Sequence, residues 1–337
     1  MRSRRSHRRG PAASLASVIV WANLDCEARW AGVTLPQHVL ARISAASALL
    51  AAFAPEGEPV EIYAPAAIDP ARVMLPDVTM KVGVPAHHDL AWADPAAKTV
   101  NDRWFSLALA ETLGVALPGA RAIASLADLD AHLVTLGDRA WVVKARWTAA
   151  GRDRAYGKGP LDAALGPRIA ETRTYVARLI DRGGVVVEPW LDRVLDFGWC
   201  GHVGAQGPNV GLGPPNVGLG PHTLLVDERG GFVGIDLTPP GALAAAHHAT
   251  LEHVVAQIGP ALHRAGYAGP YTLDGFVYRA DGHEKLHALC ELNARHTFGH
   301  VAHALRRRFG ATVLGFGSQP AGARVLVEDS CWIRGQA

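Results

Sequence analysis

Cysteine is scarce in this chain: Cys26, Cys200, Cys290 and Cys331 are the only four in 337 residues, far apart and with no C-x-x-C pair. That argues against a zinc ribbon or a disulfide framework and leads us to expect a reducing, cytoplasmic setting. Long apolar runs are missing as well. No stretch approaches the roughly 18 apolar residues of a membrane span. After the arginine-rich start MRSRRSHRRG, only Val18 to Ala22 forms a compact apolar run before Asp25, too little for a secretory signal core. Charge imbalance is small too. The formal net charge is +2, and five arginines lie in the first nine residues, so the remainder is slightly acidic. We therefore expect neither a nucleic-acid nor a membrane partner, and read residues 1–14 as a disordered basic leader. Three catalytic signatures are also lacking: a Walker A loop, a helical H-E-x-x-H, and a Ser/His/Asp or Cys/His nucleophile set.

What is present is an ordinary globular composition, 49% hydrophobic and 19% charged, at a length suited to about two domains. Residues 15–97 read as a small α/β unit, with a strand at Val18–Ala22, a helix over 37–54 and a strand in PVEIYAP at 59–65. NDRWFSLALAETLG gives a capped helix that stops at Gly114, and SLADLDAHLVTLG a second helix with Ser125 as its N-cap. AWVVKARW is a strand running into a loop that holds Gly151, Gly157 and Gly159. PRIAETRTYVARLIDRG is a helix and GVVVEPWL a buried strand, with Pro189 expected to stop sheet pairing. DFGWCGHVG and HTLLVDERGGFVGIDL follow as strands, the second turning at Gly230-Gly231. ATLEHVVAQIGPALHRAGY is a long helix, YTLDGFVYRADG a strand. The tandem heptapeptide PNVGLGP at 208–214 and 215–221 reads as a duplicated loop, because no helix follows to supply a phosphate-binding N-terminus.

Chemistry concentrates in three places. Lys144 ends an apolar strand just before a glycine-containing loop, which suits either a phosphate contact or a plain surface lysine. Glu188 closes the run VVVE, in a kinked segment whose backbone could read a base edge, and Asp196 follows eight residues on, where it could accept from ribose hydroxyls. In LCELNAR, Glu291, Asn293 and Arg295 alternate with apolar residues and so share one strand face. That row is either a solvated face or a ligand site. Carboxylate and amide oxygens suit Mg²⁺, and Asp274 in the neighbouring strand supplies a second carboxylate.

As a set, these segments resemble the ATP-grasp superfamily, which includes D-alanine–D-alanine ligase and biotin carboxylase, over roughly residues 98–310. The helix ending in Gly-Val-x-x-Pro, the strand lysine with its loop, the hinge VVVEPWL and the paired strands ending in Glu-x-Asn-x-Arg occur in the family's order. The resemblance implies an α/β (α+β) fold of two subdomains sandwiching ATP, at 98–191 and 192–310, preceded by a Rossmann-like unit at 15–97 and followed by an extension at 311–337. It implies an ATP-dependent carboxylate–amine ligase working through an acyl phosphate, with a nucleotide-binding module without turnover and a small-molecule kinase as alternatives. Lys144 would bind ATP phosphates under a loop containing Gly151. Glu188 and the backbone of Trp190 and Leu191 would hold adenine, and Asp196 the ribose. Asp274, Glu291 and Asn293 would hold one or two Mg²⁺, or Mn²⁺ in its place, and Arg295 would be the catalytic cation. The substrates would be a small carboxylate and an amine, and a homodimer is among the expected assemblies.

The chain departs from the family at two points. Arg103 stands where the first phosphate lysine is expected, with Lys98 as a nearby substitute, and Gly299 stands where biotin carboxylases carry a glutamate base. His296, His300 and His303 have spacing that could suggest zinc, but a place for His300 or His303 facing the acceptor is the preferred expectation. His87-His88 and His247-His248 read as surface residues.

Overall fold

The computed structural model describes residues 18–85, 95–148, 152–161, 169–204, 207–208, 219–228, 230–238 and 245–335, arranged around three sheets. Gly151, His87-His88 and most of the heptapeptide repeat lie outside the described residues.

The first sheet is parallel, in the order β1 (Val18–Trp21), β2 (Val60–Ala64), β3 (Val78–Val82). Between its first two strands lie α1 (Cys26–Trp30), α2 (Gln37–Ser47) and a 3₁₀ turn, Ala48–Phe53. The alanine-rich stretch expected as one helix therefore tightens after Ser47, whose hydroxyl donates back to the carbonyl of Ile43 at 2.8 Å. Such back-bonding competes with the regular helical ladder.

The second sheet has the order β4-β7-β5-β6, all antiparallel: β4 (Arg121–Ile123), β5 (Ala140–Ala145), β6 (Arg154–Lys158) and β7 (Val185–Pro189). Before it come α3 (Pro95–Val100) and α4 (Arg103–Thr112), and α5 (Leu126–Leu136) and α6 (Ile169–Asp181) belong to it. The expected caps are in place. Asp102 accepts from the Trp104 amide, Ser125 accepts from the Asp128 amide, and Gly114 turns out of α4 at φ +69. Two readings change here. The stretch around Gly157, expected as loop, is strand β6, because a Cβ at Gly157 would stand 2.2 Å from the Trp141 ring, and glycine lets the strand cross it. Nor does Pro189 end the pairing, since it lies opposite Trp141 and the next amide, Trp190, donates to Ala140 at 2.8 Å. The side of β7 that faces away from β5 is covered by β4 only as far as Val187, so the missing N–H of Pro189 deprives no partner.

The third sheet has nine strands. Its path is β13-β12-β8-β10-β11-β14-β16-β15, with β9 attached to β8. The strands are β8 (Asp192–Gly204), β9 (Gly207–Pro208), β10 (Pro221–Val226), β11 (Phe232–Asp236), β12 (Gly269–Ala280), β13 (His283–Asn293), β14 (Ala311–Phe316), β15 (Arg324–Val327) and β16 (Cys331–Gly335). Residues 311–335 thus pair directly with the rest of this sheet through β11. Helix α7 (Ala245–Arg264) buries Leu251, Val254, Ile258 and Leu262 in a core shared with β8, β12 and β13. Helix α8 (Phe298–Phe309) packs Val301, Ala302 and Leu305 into a second core with Leu49 and Ile62 of the first unit. That core joins the parallel sheet to the large one. Among the described residues, no helix is long and apolar enough to cross a membrane.

Candidate active site

The site forms where β13 faces the second sheet and the start of α4. In the antiparallel pair β12–β13, Asp274 lies opposite Glu291 and Thr272 opposite Asn293. The register slips between Asp274 and Phe276, so that β13 carries extra residues there. A bulge of this kind re-aims side chains. The consecutive residues Cys290 and Glu291 consequently both reach groups of neighbouring elements. Lys144 approaches Cys290 Sγ at 3.6 Å, and Arg103 grips both oxygens of Glu291 at 2.8 Å each.

Helix α4 holds this strand in place. Ser106 accepts from the Leu292 amide at 3.1 Å. Asn101, just before α4, clamps the backbone of Ala294 by accepting from its N–H at 2.9 Å and donating to its carbonyl at 3.3 Å. The strand ends at Asn293, where the Arg295 amide turns back to the Asn293 carbonyl at 3.0 Å. Arg295 therefore leaves the alternating row that the sequence suggests. Its guanidinium still returns to it, donating to Asn293 Oδ1 at 3.0 Å, while Asn293 Nδ2 donates to Asp274 at 2.9 Å.

Two cations enter from the other side. Lys144, on β5, is 2% exposed at its side chain and pairs with Glu188 on β7 at 2.5 Å. Burial works to raise the Glu188 carboxyl, but Lys144, His287 and Arg193 outweigh it and hold the group below its ordinary value. Arg103 is buried and also donates to the carbonyls of Ala145 and Thr148, at 2.6 and 3.1 Å, which fixes the base of the β5–β6 connection. Its Nε is buried without a hydrogen-bond partner. A cavity lined by Arg103, Glu188, His287, Cys290, Leu107 and Leu117 lies beside it. Burial drops the His287 imidazole to about 4, so it is neutral at pH 7.

Asp274 is in the opposite condition. Desolvation first, and the Glu291 carboxylate second, push it well above its ordinary value. Two carboxylates facing each other across a strand pair, one already neutralised by Arg103 and one not, make a setting that a divalent cation would relieve. The donors Asp274, Glu291 and Asn293 are hard oxygens, the kind Mg²⁺ takes when phosphate and water complete its shell. They fit the ion.

The remaining expected residues lie along the edge of this cluster. Trp190 and Leu191 form the link from β7 to β8, with the Trp190 ring edge-on to Tyr156 at 4.8 Å between centroids. Asp196, on β8, is engaged by Arg193 at 2.6 Å, and Arg193 stacks over Phe276 at 4.0 Å. Lys98 lies over the Trp147 ring at 4.9 Å. Sequence reading did not single out Arg193, Asn101, Ser106, Cys290 or Glu27 as site residues. Arg193, Asn101 and Glu27 are polar residues beside apolar ones, as many surface residues are, and Ser106 and Cys290 are small residues inside a helix and a strand.

The histidines form a separate group. Thr297 caps α8, with His300 Nδ1 accepting from the Thr297 amide at 3.2 Å. His222, on β10, is 1% exposed, and neither ring nitrogen has a partner. It fills the space left by two glycines: a Cβ at Gly198 would stand 2.6 Å from its Nε2, and one at Gly299 would stand 2.8 Å from it and 2.7 Å from Cys200 Sγ. A side chain at 299 is therefore incompatible with His222. Among the described residues, no group of three or more His, Cys, Asp or Glu is arranged to hold a metal ion.

Burial, with His303 and His300 nearby, drops His222 to about 3, and burial drops His303 to about 4. Because these values lie below the ordinary 6.5, the neutral rings contribute stability that is complete above about pH 6.5 and is lost as pH falls toward 3–4. The slope is up to about 1.4 kcal/mol per pH unit for each group. His222→Leu should flatten the dependence of the urea midpoint on pH between 7 and 4.5. An unchanged slope would remove His222 from this account.

No protein-family model matches the chain, and no curated protein matches it by sequence. Solved structures do match. Biotin carboxylase from Campylobacter jejuni, determined as a β-γ-ATP complex, superposes at TM-score 0.55 with 13% identity, covering 84% of this chain and 66% of that one. Phosphoribosylamine–glycine ligase from Thermotoga maritima superposes at TM-score 0.50 with 12% identity, covering 95% of this chain and 90% of that one. Pyruvate carboxylase from Rhizobium etli gives 0.53 and 16%, covering 88% of this chain but 27% of that one. Identities this low bear on the fold alone, and together with the mixed sheets described above they establish it: the chain has the fold of the ATP-grasp superfamily.

Proposed function

We propose that the chain is an ATP-dependent ligase that joins a carboxylate to an amine through an acyl phosphate. One observation carries this reading: Asp274 and Glu291 face each other on paired strands, while Lys144 and Arg103 reach the same place from the opposing sheet and helix. Phosphoryl transfer depends mainly on positioning and charge neutralisation, which such a convergence supplies. In this reading Lys144 and Arg103 contact the phosphates. An ammonium has three donors, of which Lys144 directs one to Glu188 and one to Cys290. The unpartnered Nε of Arg103 is a further donor. Glu188 and the backbone of Trp190 and Leu191 hold the base, and Asp196 the ribose. Asp274, Glu291 and Asn293 would hold Mg²⁺, which when bound spreads the negative charge of the phosphates. The substrate carboxylate attacks the γ-phosphorus as the bond to ADP breaks. The amine then attacks the acyl carbon, phosphate leaves, and the amine loses a proton. Arg295 stabilises the negative charge that develops in these steps.

The grip of Arg103 on Glu291 favours a second reading, a nucleotide-binding module without turnover, because it occupies one of the metal carboxylates. Incubation with Mg-ATP and pools of acids and amines separates the two. The ligase releases ADP, phosphate and an amide, and the module releases nothing. A stable phosphoester in place of phosphate would indicate a kinase. In either of the first two cases, Mg-ATP at a hundred times its Kd should stabilise the protein by about 2.7 kcal/mol, and EDTA should cancel most of that gain. A melting curve indifferent to nucleotide would sink both.

A further inference from the structure

Arg295 is held by a residue from the far end of the chain. Glu27, on α1, is 268 positions away in sequence, yet its Oε1 accepts from Arg295 Nε at 2.6 Å and pairs ionically with Nη2 at 2.5 Å. The other carboxylate oxygen accepts from the Cys26 thiol at 3.2 Å. Glu27 is 4% exposed, and an isolated carboxylate so placed would be costly. Burial raises its carboxyl, but Arg295 outweighs that and holds it below the ordinary value. Arg295 Nη2 also donates to Asn293 Oδ1 at 3.0 Å, so the guanidinium is clamped between the parallel-sheet unit on one side and β13 on the other.

Resting on the ligase reading above, we propose that Glu27 is a positioning residue for Arg295. An arginine in a turn after a strand carries about 2 kcal/mol of rotamer entropy. Two of its nitrogens fixed on one carboxylate oxygen, and one of those also on an amide oxygen, leave the guanidinium plane a single orientation beside Asn293 and Asp274. The parallel-sheet unit is therefore part of the catalytic site: it orients the cation at the metal-and-phosphate edge. An ion pair serving only to join the two units would stabilise the fold without affecting the chemical step, and this difference can be measured.

The test is a double-mutant cycle on the full chain, read as kcat and KM for ATP in the turnover assay. Misplacing a group by about an ångström can cost on the order of a hundredfold in rate. Glu27→Gln should therefore lower kcat by about ten- to a hundredfold, with KM for ATP nearly unchanged. In the Arg295→Gln background it should cause no further loss. Should Glu27→Gln fail to fold, Glu27→Asp keeps the charge and withdraws it by one methylene, and it should still lower kcat without moving KM. Unchanged kcat in the variant that folds, or the same fractional loss with and without Arg295, overturns the inference and leaves the ligase reading standing. Absence of turnover in the unmodified protein overturns both.

Discussion

Lys144→Met should weaken the fold by about 3–5 kcal/mol, because it leaves the carboxylate of Glu188 buried without its partner. The site reading adds a second effect. If Lys144 also contacts a phosphate, its loss removes a charge-assisted bond worth about 1.5–3 kcal/mol, or roughly 10- to 150-fold in ATP affinity. The two effects can be separated. In Lys144→Met combined with Glu188→Leu, neither charge remains, and a buried pair replaced by apolar side chains of similar volume is often neutral in stability. The double variant should therefore regain most of its denaturation midpoint. Its affinity for Mg-ATP should stay low, and below that of Glu188→Leu alone, which by itself removes the acid assigned to the base. An affinity equal to that of Glu188→Leu would show that Lys144 serves the fold alone.

The same pair marks the limit of what the sequence displays. Local features are readable: Asp102 and Ser125 as caps, Gly114 as a stop, and the period-2 row that puts Glu291 and Asn293 on one face. Each depends on a spacing of a few residues. The contacts that assemble the site are not local. Lys144 and Glu188 lie 44 positions apart, Arg103 and Glu291 188, and Arg295 and Glu27 268. Which acid meets which cation is decided by strand register and by the bulge in β13, and neither leaves a compositional trace. Glu27 sits in DCEARW, near another acid, Asp25, and one arginine, Arg29, where it reads as one more helix-face charge. Likewise the glycine opposite Trp141 makes β6 look like a loop, because its packing role depends on a ring in the neighbouring strand.

The two candidate metal carboxylates should respond to mutation with opposite signs in stability and the same sign in activity. Glu291→Ala removes the partner of Arg103, whose side chain is 5% exposed. Leaving that charge unpaired should cost about 3–5 kcal/mol. Asp274→Asn removes the charge that desolvation and Glu291 already disfavour, while an amide can still bond to Asn293. Its ligand-free protein should be as stable as the parent or more so. Both variants lose an oxygen donor for the cation, and removal of an electrostatic contact of this kind lowers kcat on the order of 10²–10³-fold. Stabilisation by Mg-ATP should shrink in both. Urea midpoints and ATP turnover measured side by side decide the matter. A destabilised Asp274→Asn would mean that the aspartate is a structural acid with a partner of its own. Turnover close to that of the parent in either variant would remove that residue from the metal site. The contrast in sign follows from a single asymmetry: Arg103 neutralises one of the two facing carboxylates and leaves the other to be neutralised by a bound cation.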